Sequence, residues 1–309
     1  MPIGKKGFPS VKTGNLEWLF VNRNHVADMD ALRRKYRYSP LDLKEVLPPL
    51  QRPKVVARDA YAFMILHYPI YDPGTKDVRA TEIDFFISEH HLVTVNVDGY
   101  APLQRIFRDC ADARKENVCM QGDITQLLYA LLSEMTNDVF SMLVHVNNDL
   151  DAIEKRMFAE FERNLIQEIL RVKTNIANIR KAIQAHQTVI RNLMREAPRY
   201  FPLHHLQDYF DELVDHTKEI WETLEVQRDS ADALHQTNQS LIDFRINEII
   251  KTLTIFSVIV FPLTLMAAVF GMNAHLPIVD HPYGFWIIIG LMAVGTIGML
   301  GYFKYRKWL

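Results

Sequence analysis

Leu253–Phe270 reads LTIFSVIVFPLTLMAAVF. About 18 residues without a charge are enough to cross the hydrocarbon of a bilayer as a helix. A second such run, Tyr283–Phe303, YGFWIIIGLMAVGTIGMLGYF, follows after a short connection. A single apolar run could be the buried helix of a soluble domain. Two adjacent uncharged runs of this length read as two membrane spans, about 253–270 and about 283–303. Arg245 and Lys251 precede the first, Lys304, Arg306 and Lys307 follow the second, and the connection from Ala274 to Pro282 has no lysine or arginine. The positive-inside rule then puts both termini in the cytoplasm and the short loop, 271–282, outside. Trp286, Tyr302, Tyr305 and Trp308 stand near span ends, where aromatic rings favour the interface.

Working outward, nearly all the charge of the 309-residue chain precedes Lys251. The formal net charge of −2 names no partner, and no basic stripe marks a nucleic-acid footprint. The N-terminal stretch MPIGKKGFPSVKTGNLEW has lysines but no apolar core, so no secretory signal is expected. Cys110 and Cys119 share a polar stretch without metal or redox spacing and read as two incidental thiols in a reducing compartment.

From Glu17 to Val97 the runs EWLFV, YAFMILHYPIY, EIDFFIS and HLVTVNV are rich in β-formers, with DPGTKD (Asp72–Asp77) as a hairpin turn and VADMDALRRKY as a short helix. From about Asp123 apolar residues recur at three- and four-residue steps. A second long helix is expected over Arg163–Met194, ended by APRYFP. From Leu206 to Phe270 there is one proline, Pro262, and no glycine. A continuous helix of that length would extend roughly 95 Å, much more than a bilayer needs. The expected fold is thus an α+β cytoplasmic domain (1–120), a helical region with a stalk helix (121–252) and a transmembrane domain (253–309).

No catalytic constellation is visible: there is no phosphate-binding G-x-x-x-x-G-K-[ST], no HExxH and no G-x-S-x-G. The chain reads as a non-enzyme without an organic cofactor. The pairs His90 and His91, and His204 and His205, lack a carboxylate at metal spacing and read as surface or packing histidines.

Two spans of one chain cannot enclose a conduit, so a pore needs several copies. Asn247, Ile250, Thr254, Ser257, Phe261, Thr264, Ala268 and Gly271 form one helical stripe of amide, hydroxyl, apolar and small residues. By composition the stripe fits a pore lining and a helix-packing face equally well. Just beyond it stands Gly271-Met272-Asn273. Asn273 offers a carbonyl acceptor without net charge. A ring of such amides suits a cation that keeps its water, as Mg²⁺ does, and releases it more readily than carboxylates would. Gly271 allows close backbone approach or positive φ at the helix end, and a plain helix cap is the other reading of the motif.

Gly-Met-Asn after a first span, with a second span and a basic tail, resembles the CorA family of divalent cation channels. Thr252–Asn273, with Pro-Leu-Thr at Pro262 to Thr264, is similar to the family's pore helix, and Gly301–Leu309 to its tail. LQRPKV (Leu50–Val55) and DELVDHT (Asp211–Thr217) resemble stretches of its cytoplasmic domain and stalk. The resemblance implies a funnel-shaped homopentamer in the plasma (inner) membrane, carrying Mg²⁺, with Co²⁺ and Ni²⁺ as incidental substrates. It assigns the selectivity filter to Gly271, Met272 and Asn273. Leu253 and Phe261 become hydrophobic constrictions, Thr264 an inner polar ring, Asn247 the cytoplasmic polar ring, and Lys304, Arg306 and Lys307 a basic girdle. It also makes Glu45 and Glu212 ligands of an intracellular Mg²⁺ that holds the channel closed between subunits; without it they read as solvated glutamates.

Three departures accompany the resemblance. Glutamate stands at both sensing positions, where aspartate is frequent, and Phe261 where methionine is often found. The loop AHLPIVDHPY lacks Met-Pro-Glu-Leu and offers His275, Asp280 and His281 instead. Those histidines suggest a Zn²⁺ transporter of the same superfamily as one alternative, and a non-conducting membrane-anchored Mg²⁺ sensor is another.

Overall fold

The computed structural model of the chain describes residues 8–22, 26–96, 99–112, 122–159, 164–196, 206–272 and 282–308. It divides into two compact units, Met1–His235 and Gln236–Leu309. The strands are β1 (Ser10–Thr13), β2 (Leu16–Asn22), β3 (Lys54–Ala57), β4 (Ala62–Asp72), β5 (Asp77–Ile87) and β6 (His91–Asn96). The helices are α1 (Val26–Tyr36), α2 (Pro40–Glu45), α3 (Ala101–Ala111), α4 (Ile124–Ala159), α5 (Leu165–Ile183), α6 (His186–Glu196), α7 (Gln207–Phe270) and α8 (Gly284–Tyr305).

The first unit is the expected α+β assembly. Its sheet has the order β1-β2-β6-β5-β4-β3, with β2 and β6 parallel and every other pair antiparallel. Alternation along the strands sends Leu19, Val21, Phe63, Ile65, Phe86, Val93 and Val95 to one face, where they pack with Met29 and Leu32 of α1 and Leu43 of α2. On the other face Trp18 donates through Nε1 to Thr94 Oγ1 (3.0 Å) and meets Phe107 of α3 edge-on. Asn175 of α5 accepts from Val78 N (2.8 Å) and donates to Lys76 O (3.0 Å), tying the helix to the start of β5. The β4–β5 hairpin turns where expected: Asp72 accepts from Lys76 N (2.7 Å), its side chain accepts from Gly74 N (2.9 Å), and Lys76 takes a positive φ of 61°.

Two sequence expectations need correction. The helix expected over 163–194 is two helices, α5 and α6, separated at Gln184 and Ala185. The cause is His186, which turns into the domain, hydrogen-bonds His67 O through Nε2 (2.6 Å) and packs on the Tyr68 ring. Cys110 is not an incidental thiol: it is buried at the end of α3 and disulfide-bonded, while Cys119 lies outside the described residues.

The helix expected over Leu206–Phe270 is present as α7, unbroken through Pro262. Its early turns bury Phe210, Leu213, Ile220 and Leu224 in the first unit, and Gln227 donates to Leu143 O (2.8 Å). Among the described residues three helices are long and apolar enough to cross a membrane: α4, α7 and α8. Burial separates them. In its most apolar window α4 is 44% buried, whereas α7 is 0% and α8 6% buried. The apolar residues of α4 therefore serve the core of the first unit, while most of those of α7 and α8 are left open and suit a lipid or subunit environment.

Candidate functional site

In the second unit the shielded residues of α7 are Ile255, Ile259, Leu263, Met266 and Phe270, and those of α8 are Ile288, Met292, Thr296, Met299 and Phe303. Both series step by fours with one three, so each helix turns one stripe toward the other. Thr254 and Val258 of α7 share a cavity of about 480 Å³ with Gly295, Gly298, Met299 and Phe303 of α8.

The stripe Asn247, Ile250, Thr254, Ser257, Phe261, Thr264, Ala268 and Gly271 is exposed throughout. At 100° per residue it lies about half a turn from the α8-facing stripe. It is therefore not the surface that packs on α8, although Thr254, at its margin, reaches the shared cavity. Phe261 leaves 76% of its surface open and Leu253, beside the stripe, 63%. Apolar exposure of this size calls for cover by lipid or a second protein.

The hydroxyls on the stripe have their donors committed. Thr254 donates to Ile250 O (2.7 Å), Ser257 to Leu253 O (2.8 Å) and Thr264 to Val260 O (2.9 Å). A hydroxyl that has spent its proton on the helix presents only lone pairs outward. Those lone pairs can receive hydrogen bonds from the waters of a hydrated cation.

At the end of α7, Gly271 N bonds Ala267 O (2.9 Å) and Met272 N bonds Val269 O (3.4 Å). A Cβ on Gly271 would stand 2.9 Å from that same Ala267 oxygen. Of the two roles expected for this glycine, the structure uses close approach and not a positive φ. Asn273, His275, Asp280 and His281 lie outside the described residues. At the other end of the unit Lys304, Arg306 and Lys307 are all exposed. Lys307 takes a positive φ of 57°, and Trp308 returns onto Phe303, its N–H bonding Phe303 O (2.9 Å).

The two glutamates expected to sense Mg²⁺ are in different settings. Glu45 closes α2 and is paired through Oε2 with Lys54 Nζ at 2.6 Å. No local signal points to this partner, because Lys54 sits on a different element. Glu212 is exposed on α7, with His216 Nε2 3.9 Å away one turn on. Among the described residues no group of three or more His, Cys, Asp or Glu side chains could hold a metal. His91 is a packing histidine, stacked on Tyr36 and 3.0 Å from Ser88 Oγ; His204 and His205 lie outside the described residues.

An α+β unit followed by two uncovered apolar helices, the first with a polar stripe turned away from the second, defines a class of two-span membrane proteins. The chain belongs to the family of CorA-like Mg²⁺ transporter proteins, whose sequence profile matches residues 14–306. It is 26% identical over 300 residues to the cobalt/magnesium transport protein CorA of Thermotoga maritima, covering 94% of this chain and 83% of that one. Its identity to the protein of the same description from Methanocaldococcus jannaschii is 24%, covering 90% and 86%. The fold resembles the complete structure of the CorA magnesium transporter from Methanocaldococcus jannaschii with a TM-score of 0.85, at 21% identity, over 99% of this chain and 95% of the other.

Proposed function

We propose that this chain forms a passive divalent cation channel that admits Mg²⁺, with Co²⁺ and Ni²⁺ as lesser substrates, across the plasma membrane. One observation carries the reading: the α7 stripe of amide, hydroxyl and small residues is exposed, faces away from α8, and turns the acceptor lone pairs of its three hydroxyls outward. In a homopentamer these stripes would surround one conduit, with Gly271, Met272 and Asn273 as the filter, Thr264 as an inner ring, Leu253 and Phe261 as constrictions, and Asn247 with the basic tail at the cytoplasmic end. The membrane potential supplies the drive: a divalent ion gains about 4.6 kcal/mol per 100 mV on entering a negative interior. Relatives described as cobalt/magnesium transport proteins support the substrate class.

In this proposal Glu45 of one subunit and Glu212 of a neighbour bind intracellular Mg²⁺ and hold the channel closed. Two carboxylates across an interface repel until a divalent ion bridges them. The pairing of Glu45 with Lys54 means that Mg²⁺ would compete with an ammonium for this carboxylate. The deciding experiment is ion-specific flux into proteoliposomes with and without Mg²⁺ on the cytoplasmic side. Mg²⁺ flux that Asn273→Ala abolishes, and that internal Mg²⁺ suppresses in the wild type but not in Glu212→Lys, supports the reading. Zn²⁺ flux without Mg²⁺ flux would refute it.

A further inference from the structure

The first unit holds a cavity of about 990 Å³ between the β3 edge of the sheet and helices α5 and α6. Four cations line it: Arg52 and Lys54 at the approach to and start of β3, Arg79 on β5 and Lys181 on α5. His67 lines it too, with its Nε2 buried and 3.5 Å from Glu82 Oε2. No aspartate or glutamate is among the lining residues. In a chain of formal net charge −2, this is charge segregated by the fold and not a reflection of composition.

Arg52 and Lys181 differ in their pairing from the cations of a neighbouring cluster. Lys173, Arg180 and Arg228 line a second cavity, which also touches Lys181, but each already has its counter-charge. Lys173 pairs with Asp232 (2.6 Å), Arg180 with Glu225 (3.3 Å) and Arg228 with Asp229 (2.9 Å). Among the described residues Arg52 and Lys181 have no carboxylate within ion-pair distance. Cations gathered around one concavity raise each other's energy unless an anion joins them, and low-dielectric walls strengthen the field that draws it in. The amide of Asn192 adds a neutral donor to the same wall, whereas that of Asn178 already donates to Val78 O (2.8 Å).

We propose that this cavity binds a soluble polyphosphate anion, free or as the phosphate chain of a nucleotide. Arginine and lysine together suit the many oxygens of such a chain. The volume exceeds what a single phosphate fills and matches ordinary small-molecule sites. Lys54 is shared, because its ammonium also serves Glu45. An anion in the cavity therefore competes with that carboxylate for Lys54.

The test is calorimetric titration of the detergent-solubilised full chain with tripolyphosphate and, separately, with ATP, in Mg²⁺-free buffer containing EDTA. Saturable binding is expected, weakened about ten-fold or more in Arg52→Ala/Lys181→Ala, since charge-assisted hydrogen bonds are lost. Both residues are exposed, so the fold is expected to survive the change. Glu45→Gln, which frees Lys54, should bind severalfold tighter, and Lys173→Ala should bind as the wild type does. Equal affinity for the two probes assigns the polyphosphate alone, and tighter ATP binding places the nucleoside in the cavity as well; either upholds the site. No saturable binding, unchanged binding in the double variant, or an equal loss in Lys173→Ala would overturn it.

Discussion

At the scale of single residues, the segment that carries Glu45 is anchored by a buried carboxylate. Asp42 is 1% exposed within α2. It accepts from Tyr61 Oη (2.6 Å) and Arg58 Nε (3.0 Å), and also pairs with the Arg58 Nη2 group. Asp42→Ala removes the buried carboxylate to which both Tyr61 and Arg58 donate. The guanidinium is partly exposed and can rehydrate, so the cost is expected to be about 2 kcal/mol rather than that of a fully buried broken pair. A fall in the thermal midpoint of the purified chain checks this, and an unchanged midpoint counts against the anchoring role. His186 sets a pH limit. Burial lowers its pKa from 6.5 to about 4, and burial lowers that of His91 likewise to about 4. A base with a depressed folded pKa stabilises fully above its unfolded value, and that stability is lost as pH falls from about 6.5 toward 4. The thermal midpoint should therefore drop across this window. His186→Gln, which keeps a donor for His67 O but cannot titrate, should flatten the drop; an identical slope would show that His186 is not responsible.

At the scale of elements, the stripe on α7 yields its own prediction. Thr264 returns its proton to Val260 O, a bond the helix does not need, since side-chain back-bonding of this kind slightly disfavours helices. Thr264→Val should thus leave helix content unchanged by circular dichroism while Mg²⁺ flux falls severalfold, because an outward acceptor is lost. Flux equal to the wild type would remove Thr264 from the conduit. This element was the most legible in the sequence, because uncharged length, one proline and a three-four stripe are all local signals. What periodicity could not say is which way the stripe faces, since Ser, Thr, Ala and Gly serve packing and pores alike; that required α8 in place. The four central strands were legible from their β-branched and aromatic runs, whereas β1 and β3 were not. Both are four-residue edge strands with little burial, so no alternating apolar signal marks them. The α5–α6 break escaped for a related reason: its cause, His67 O, is far away in sequence. The lysine beside Glu45 was hidden in the same way.

At the scale of the whole molecule, the proposed conduit calls for further copies of the chain, and the surface of α7 suits them. Phe261 and the adjacent Leu253 are too exposed for water, yet the stripe that Phe261 shares with Asn247, Ser257 and Thr264 is too polar to favour lipid. An assembly in which identical stripes face one another satisfies both, with hydroxyl acceptors turned to a hydrated axis and α8 on the outside. Cysteine cross-linking in membranes tests this arrangement. In a background with Cys110→Ser and Cys119→Ser, Ser257→Cys or Ala268→Cys should form disulfide-linked dimers on mild oxidation, because like positions on neighbouring stripes approach around a common axis. Ile259→Cys lies on the α8-facing side and should remain monomeric under the same oxidation. Cross-linking from Ile259 but not from Ser257 or Ala268 would place the conduit on the wrong face of α7, and with it the roles proposed for Thr264 and Asn273. Cross-linking from Ser257 and Ala268 that added Mg²⁺ enhances would support the proposed closure, because an ion bridging Glu45 and Glu212 of neighbouring subunits would draw them together.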